Sequence, residues 1–304
     1  MTLSTQELIL IAICTLGENP NLSDLLSQLI RLKSGSPHQV RIIIVWNSNI
    51  EVGILIPPEV EVHRIPERGY SNARNLALAQ RRIDESMMFI DDDELLNLQL
   101  SDSFHMGIDI LDIYLTAAIE FPDSIFVGPY LPVDMDGRKK LPDWKQIPEM
   151  EHGNVINFGS GGNFFIPSAV LRDRKISYDP FYNFGGEDTN LVRSLARTGI
   201  MTRWIPSAIL YEKTPSERYT LEWQTERNLK NFLINIMIEL QSFKFSRVRR
   251  LFYTIKILSV ILLGIRNPAT KHLGLKKKYG ITIAIFQHNL QKLKEIATNG
   301  GDVE

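Results

Sequence analysis

The sequence predicts an α/β protein: a doubly wound, mostly parallel sheet flanked by helices, with a helical appendage toward the C-terminal end. Three observations carry this. Continuous apolar runs at Leu8–Cys14 and Val40–Trp46 read as strands buried on both faces. A helical stripe separates them. A further apolar run, Met87–Ile90, ends directly on Asp91-Asp92-Asp93.

Taken in order, Leu8–Cys14 is the first strand. Residues 21–33 carry Leu22, Leu25, Leu26, Leu29, Ile30 and Leu32 at helical spacing. Val40–Trp46 is the second strand, and Val60–Ile65 a short third. Residues 70–83, rich in Ala, Leu and Arg, form a helix, and Met87–Ile90 is the fourth strand. Such alternation builds a parallel sheet with helices on both faces, whose ligands sit beyond the carboxyl ends of the strands. Thr15–Asn19, Trp46–Asn49, Arg68–Asn75 and Asp91–Asp93 all fall there. Residues 131–160, rich in Pro, Gly and charge, read as a long loop of the kind that often covers a site. A strand at Gly162–Pro167, a helix over 187–198 and a strand at Met201–Ile205 follow, and the pattern from Tyr219 onward is helical.

The chain has 304 residues, 44% hydrophobic and 23% charged, enough for one large domain with an appendage. Its one cysteine, Cys14, excludes an intrachain disulfide and reads as a small buried hydrophobe, which fits a reducing compartment. The first apolar run is seven residues long with Glu7 before it and no basic residue, so a signal peptide is not expected. The net charge of −1 hides an asymmetry. Residues 1–240 hold 22 Lys+Arg against 32 Asp+Glu, and residues 241–280 hold ten Lys+Arg and no acid.

Three clusters carry chemistry. Asp91-Asp92-Asp93 after a buried strand places like charges together, and their repulsion asks for a cation. Carboxylate oxygens suit Mn²⁺ or Mg²⁺, which would also neutralise a diphosphate and improve it as a leaving group. The plainer alternative is a solvated turn capping a helix. Gly185-Gly186-Glu187-Asp188 couples a tight turn to two acids at a helix start, where one could accept a proton from a hydroxyl; capping is again the alternative. Arg68, Arg74, Arg218 and Arg227 lie near predicted loops and helix starts, and arginine pairs with phosphate oxygens.

In this order the segments resemble glycosyltransferase family 2, of the type A (GT-A) fold. The resemblance runs from about Leu8 to Asn228. It is carried by Arg68-Gly-Tyr-Ser-Asn-Ala-Arg-Asn75, Phe89-Ile-Asp-Asp-Asp-Glu94, Gly161-Gly-Asn-Phe-Phe-Ile166, Gly185-Gly-Glu-Asp-Thr-Asn-Leu191, and Ala208 through Arg218 to Trp223 and Arg227.

The resemblance implies roles. Asp93 and Asp91 would ligate the metal, with Asp91 also toward the nucleoside; Asp188 would be the general base, with Glu187 binding the acceptor and second choice as base. Thr15, Glu18, Asn47, Arg74, Asp92, Arg218 and Arg227 would serve the nucleotide sugar, and Gly161, Gly162 and Asn163 would line the sugar pocket. The reaction implied is inverting transfer from a nucleotide-diphosphate sugar to a hydroxyl, of the kind used in bacterial surface polysaccharide synthesis. It implies a catalytic unit over 1–240, with a nucleotide-sugar half of about 1–130 and an acceptor half of 131–240, then a tail over 241–304. Two segments depart from the family: Cys14-Thr15-Leu16-Gly17-Glu18-Asn19 replaces a common Pro-Thr-Tyr-Asn, and Trp46-Asn47-Ser48-Asn49 replaces an Asp that contacts the base. The nucleotide therefore stays open, UDP favoured with dTDP and GDP as alternatives.

The tail pairs Phe243, Phe245, Leu251, Phe252 and the run Ile255–Ile265 with basic residues at both ends. It reads as helices lying on an anionic membrane surface, which implies a cytoplasmic protein, peripheral on the inner face of the membrane, and a saccharide acceptor that is lipid-linked. A helical hairpin closing the catalytic unit or forming a homodimer is the alternative. Nucleic acid is not an expected partner. A nucleotidyltransferase-like enzyme is the runner-up, but it should carry a glycine-rich basic loop after the first strand, and Thr15–Asn19 has one glycine and no basic residue. An inactive membrane-bound scaffold is the third reading, opposed by the retention of both acid clusters.

Overall fold

The computed structural model describes residues 6–49, 54–98, 110–136 and 149–220, and single helical positions between 223 and 238. The chain divides into two compact units, Met1–Asn228 and Leu229–Glu304. The basic segment expected to meet a membrane lies outside the described residues.

The first unit is built on an eight-stranded sheet. Its strands are β1 (Leu8–Thr15), β2 (Gln39–Trp46), β3 (Val60–Arg64), β4 (Ser86–Asp91), β6 (Ser124–Val127), β8 (Val155–Ile156), β9 (Phe164–Ile166) and β10 (Met201–Trp204). Their order across the sheet is β3-β2-β1-β4-β9-β6-β10-β8. Pairing is parallel from β3 through β2 and β1 to β4, and between β6 and β10; β9 and β8 run antiparallel to their neighbours. The sheet is thus mostly parallel, as the sequence predicts. A second sheet joins β5 (Glu94–Leu95), β11 (Leu210–Lys213) and β7 (Tyr130–Val133) in the order β5-β11-β7.

Alternation explains the continuous apolar strands. In β1, Ile9, Ile11 and Ile13 enter one core and Leu10 and Ala12 the other; β2 and β4 divide in the same way. The first core is covered by α1 (Leu22–Gly35) and α3 (Ile110–Glu120). The second is covered by α2 (Tyr70–Ala79), α4 (Ser168–Asp173) and α5 (Glu187–Ala196). Leu22, Leu25, Leu26, Leu29 and Leu32 of α1 are all buried, so truncating one to Ala costs about 2–5 kcal/mol.

The region 131–160 differs from a plain loop, because β7 and β8 stand at its two ends. A four-residue strand containing Pro132 and a two-residue strand carry too little periodicity to be read from sequence. The centre of that segment, 137–148, lies outside the described residues. Among the described residues, no helix is long and apolar enough to cross a membrane.

Candidate active site

The site grows from neighbouring strand ends. β1, β2 and β4 are adjacent and in register, with Thr15 beside Trp46 and Cys14 beside Asp91, so their carboxyl ends open on one place. Asp91 is the last residue of β4, and Glu94 is the first of β5. The acidic turn is therefore the handover from the large sheet to the small one. Two bonds hold it: the Asp91 amide donates to Glu94 Oε2 at 3.0 Å, and the Lys213 amide donates to the Asp93 carbonyl at 2.9 Å.

The three aspartates have separate side-chain partners. Asp92 accepts from the Thr15 hydroxyl and, at 3.2 Å, from Asn19 Nδ2. Thr15 Oγ1 also accepts from the Gly17 amide at 2.8 Å. Asp92 and Thr15 thus shape the 15–19 loop. Asp91 accepts from Arg74 Nη2 at 3.4 Å, and Asp93 from Arg218 Nη1 at 3.1 Å. Burial raises the pKa of all three. Asp93 is pushed up to about 6 by burial first, then by the charges of Asp91 and Glu212, with Arg218 opposing. Among the described residues no three His, Cys, Asp or Glu side chains are gathered as a ready metal cage. Asp91 and Asp93 nevertheless fit Mn²⁺ or Mg²⁺: they are hard oxygen donors two residues apart, and the charge of Asp91 adds to the need of Asp93 for a cation.

The second acid pair opens α5. Gly185 and Gly186 take φ values of 124° and 86°, left-handed backbone that other residues adopt with strain. Glu187 is buried and accepts from Arg74 Nη1, while Asp188 Oδ1 accepts from the Thr189 amide at 2.7 Å. Burial raises the Glu187 pKa to about 7, opposed by Arg74 and reinforced by Asp188. Arg74 is buried beneath, its guanidinium 5.6 Å from the centre of the Tyr178 ring. It thus joins Asp91 to Glu187, and the charge of Asp188 reaches Asp91. One glycine loop lies against the whole cluster. A Cβ on Gly159 would fall 2.6 Å from the Asp188 backbone; on Gly161 it would meet Arg74 and Asp91; on Gly162 it would overlap the Glu94 carboxylate.

The remaining expected residues divide. Arg218 also donates to Glu212 at 3.0 Å, and its guanidinium lies 5.9 Å from the Trp223 ring centre; that of Arg227 lies 5.1 Å from the same ring. Asn47 is buried: its Nδ2 donates to the Gly69 carbonyl at 2.9 Å, and its Oδ1 has no hydrogen-bond partner. Glu18 is exposed and pairs with exposed Arg68 at 3.5 Å. Asn163 departs from the pocket-lining expectation. It is fully buried at φ 48°, donates to the Pro129 and Ala208 carbonyls, and accepts from Tyr114 at 2.6 Å, so it anchors the glycine loop from below. Sequence reasoning did not single out Glu212, Tyr178, Gly159 or Glu94 as site residues. Glu94 adjoins the aspartate run, a usable signal; Glu212 reaches the site only through the second sheet. Cys14 sits close by, and burial pushes its thiol up to about 12, so it is inert at neutral pH.

A separate cavity of about 370 Å³ is lined by Leu78, Arg81, Leu171, Arg172, Arg174 and Lys175, among others. Of its cations, Arg172 lies in the last turn of α4, where it answers the helix dipole.

Residues 147–285 match the family described as glycosyl transferase family group 2. The match covers a little under half of the chain, and it is what that segment is similar to. It includes the glycine loop, Glu187, Asp188, Arg218 and Arg227. Among curated proteins no match is found. Among solved structures, TarS of S. aureus is similar, at 15% identity and a TM-score of 0.49, over 80% of this chain and 44% of that one. The chain spans less than half the length of TarS.

Proposed function

We propose that this protein is a glycosyltransferase that moves a sugar, with inversion, from a nucleotide-diphosphate sugar to a saccharide hydroxyl in surface polysaccharide synthesis. One observation carries the reading: Arg74 joins Asp91, on the donor side, to Glu187, beside the candidate base Asp188. Two acid clusters far apart in sequence thereby serve one reaction centre.

Mn²⁺ or Mg²⁺, held by Asp91 and Asp93, would supply charge neutralisation on the diphosphate. The chain does the rest. Asp188 takes the acceptor proton; the freed oxygen bonds to the anomeric carbon as the bond from that carbon to the diphosphate breaks, and the nucleoside diphosphate leaves. Arg218 and Arg227, stacked about Trp223, receive the negative charge that builds on the leaving group. Glu187, tied to Arg74, fixes the start of α5 and holds an acceptor hydroxyl. The unpartnered Oδ1 of Asn47 suits a base that presents a ring N–H, as uracil, thymine and guanine do, so UDP stays the favoured reading with dTDP and GDP as alternatives.

The ten cations and no acid in 241–280 support attachment to the inner face of the cytoplasmic membrane and a lipid-linked acceptor. Full-length protein should sediment with anionic liposomes at low salt and be released by high salt; indifference to the vesicles removes this part.

A thermal-shift screen of nucleotide sugars with Mn²⁺ tests the donor, because a ligand held only by the folded state raises its stability. One UDP-, dTDP- or GDP-sugar should stand out, and its transfer should vanish in Asp188→Asn while binding persists. Binding of none, with or without metal, overturns the reading.

A further inference from the structure

We propose that Tyr70, with Phe158 across the acid pair, forms a stacking platform for a pyranose ring of the acceptor. The inference rests on the transferase reading and narrows the acceptor to a cyclic saccharide that binds through the flat face of its ring.

The position follows from helix geometry. Tyr70 is the first residue of α2, and Arg74 lies four residues on, so the two side chains share one face of the helix. Arg74 is buried against Glu187 and Asp91. Tyr70, one turn nearer the helix start, is 53% exposed. Its phenol pKa is raised by burial first and then by the charges of Glu187 and Asp91, with Arg74 and Arg227 opposing. Helix spacing and exposure thus place its ring one turn above buried Arg74, on the face that meets the acids.

The backbone beneath the ring is clamped although the side chain stays half exposed. The Tyr70 amide donates to the Asn183 carbonyl at 3.1 Å, and the Asn72 amide to Asn183 Oδ1 at 2.9 Å. The Ser71 hydroxyl donates to the Asp179 carbonyl at 2.7 Å. Gly69 leaves no room for a Cβ against Asn183. An aromatic held this way offers a large contact area and loses little freedom when it binds.

Phe158 lies on the loop that packs against the start of α5, next to Gly159, whose Cβ position meets the Asp188 backbone. It is 36% exposed, its ring 6.4 Å from that of buried Trp204. The residues around it grip α5: the Gly159 amide donates to Thr189 Oγ1 at 3.4 Å, and Arg193 donates to the Asn157 carbonyl at 3.2 Å. Glu187 and Asp188 thus lie between the helix that carries Tyr70 and the loop that carries Phe158. A pyranose has C–H groups on its faces and hydroxyls around its edge. Laid against an aromatic, it buries the C–H face and directs edge hydroxyls toward Glu187 and Asp188. An open-chain polyol has no such face.

The test is saturation-transfer NMR on full-length protein loaded with Mn²⁺ and UDP, dTDP or GDP. The probes are methyl gluco-, galacto- and N-acetylglucosaminopyranosides, with ribitol and glycerol phosphate for comparison. We expect saturation on ring-face protons of at least one pyranoside and weaker transfer to ribitol. Tyr70→Phe should keep the signal, and Tyr70→Ala and Phe158→Ala should each weaken binding about tenfold. Wild-type signal in Tyr70→Ala, equal binding of ribitol, or no pyranoside signal on nucleotide-loaded protein overturns the platform and spares the transferase reading. Failure of all three nucleotides to bind wild-type protein overturns that reading, and this inference with it.

Discussion

Arg74 on α2 donates to the carboxylate of Glu187 on α5 across 113 residues of sequence, and both side chains are buried. Removing one partner of such a pair leaves a charge stranded away from water. Arg74→Met should therefore destabilise the fold by about 3–5 kcal/mol and disorder the start of α5. Arg74→Met with Glu187→Leu should recover part of that loss. Urea denaturation of the single and double variants measures the difference; purely additive losses would show that the two residues are not coupled.

Asp93 and Glu187 give the metal-free protein a characteristic pH response. Both are acids whose folded pKa values, about 6 and about 7, lie above their ordinary values. Between about pH 4 and 7 the folded protein then binds more protons than the unfolded chain, so these groups lower stability as pH rises. Asp93→Asn should remove its share, roughly 3 kcal/mol across pH 4 to 6. Urea midpoints of wild type and variant against pH should converge at the acid end and separate toward pH 6, the variant being the more stable.

Arg218 occupies Asp93 and Glu212 at once. In Arg218→Ala those carboxylates lose their cation. Mn²⁺ should then bind the nucleotide-free protein about tenfold more tightly, whereas nucleoside diphosphate with Mn²⁺ should bind more weakly. Calorimetry of the metal alone and then of the nucleotide separates the two effects. Weaker binding of both would mean that Arg218 only braces the turn.

The glycine loop offers a test of position. Gly159→Ala places a Cβ 2.6 Å from the Asp188 backbone, and Gly162→Ala drives one into Glu94, which holds the Asp91 amide. The first should lower kcat by about tenfold or more with little change in nucleotide affinity. The second should weaken the nucleotide–metal complex. Transfer kinetics beside nucleotide titrations decide between these outcomes, and identical profiles for the two variants would refute the division.

Much of the fold was legible because its strands are buried on both faces. β1, β2 and β4 read as unbroken apolar runs, and the leucine stripe of α1 announces the helix between them. The acid clusters were legible as well, one at a strand end and one after two glycines. The small sheet was not: β5 has two residues and β11 four, and neither repeats a pattern long enough to declare itself. Glu212 belongs to that sheet and went unread for the same reason. Asn163 shows the opposite failure. The family resemblance puts it in the sugar pocket, yet its amide is consumed by the backbone carbonyls it holds together.

The strand–helix alternation from β1 to β4, the acids at Asp91–Asp93 and Glu187-Asp188, and the basic character of 241–280 are properties of the sequence alone, since each rests on local pattern or charge. Which acids meet, and through what, was decided only by tertiary structure. β9 inserts antiparallel between β4 and β6, and its preceding loop is pressed against Asp91, Glu94 and Asp188 together. Arg74 then closes the gap, because two carboxylates buried near each other need a shared cation, and no local pattern states which arginine the fold will supply.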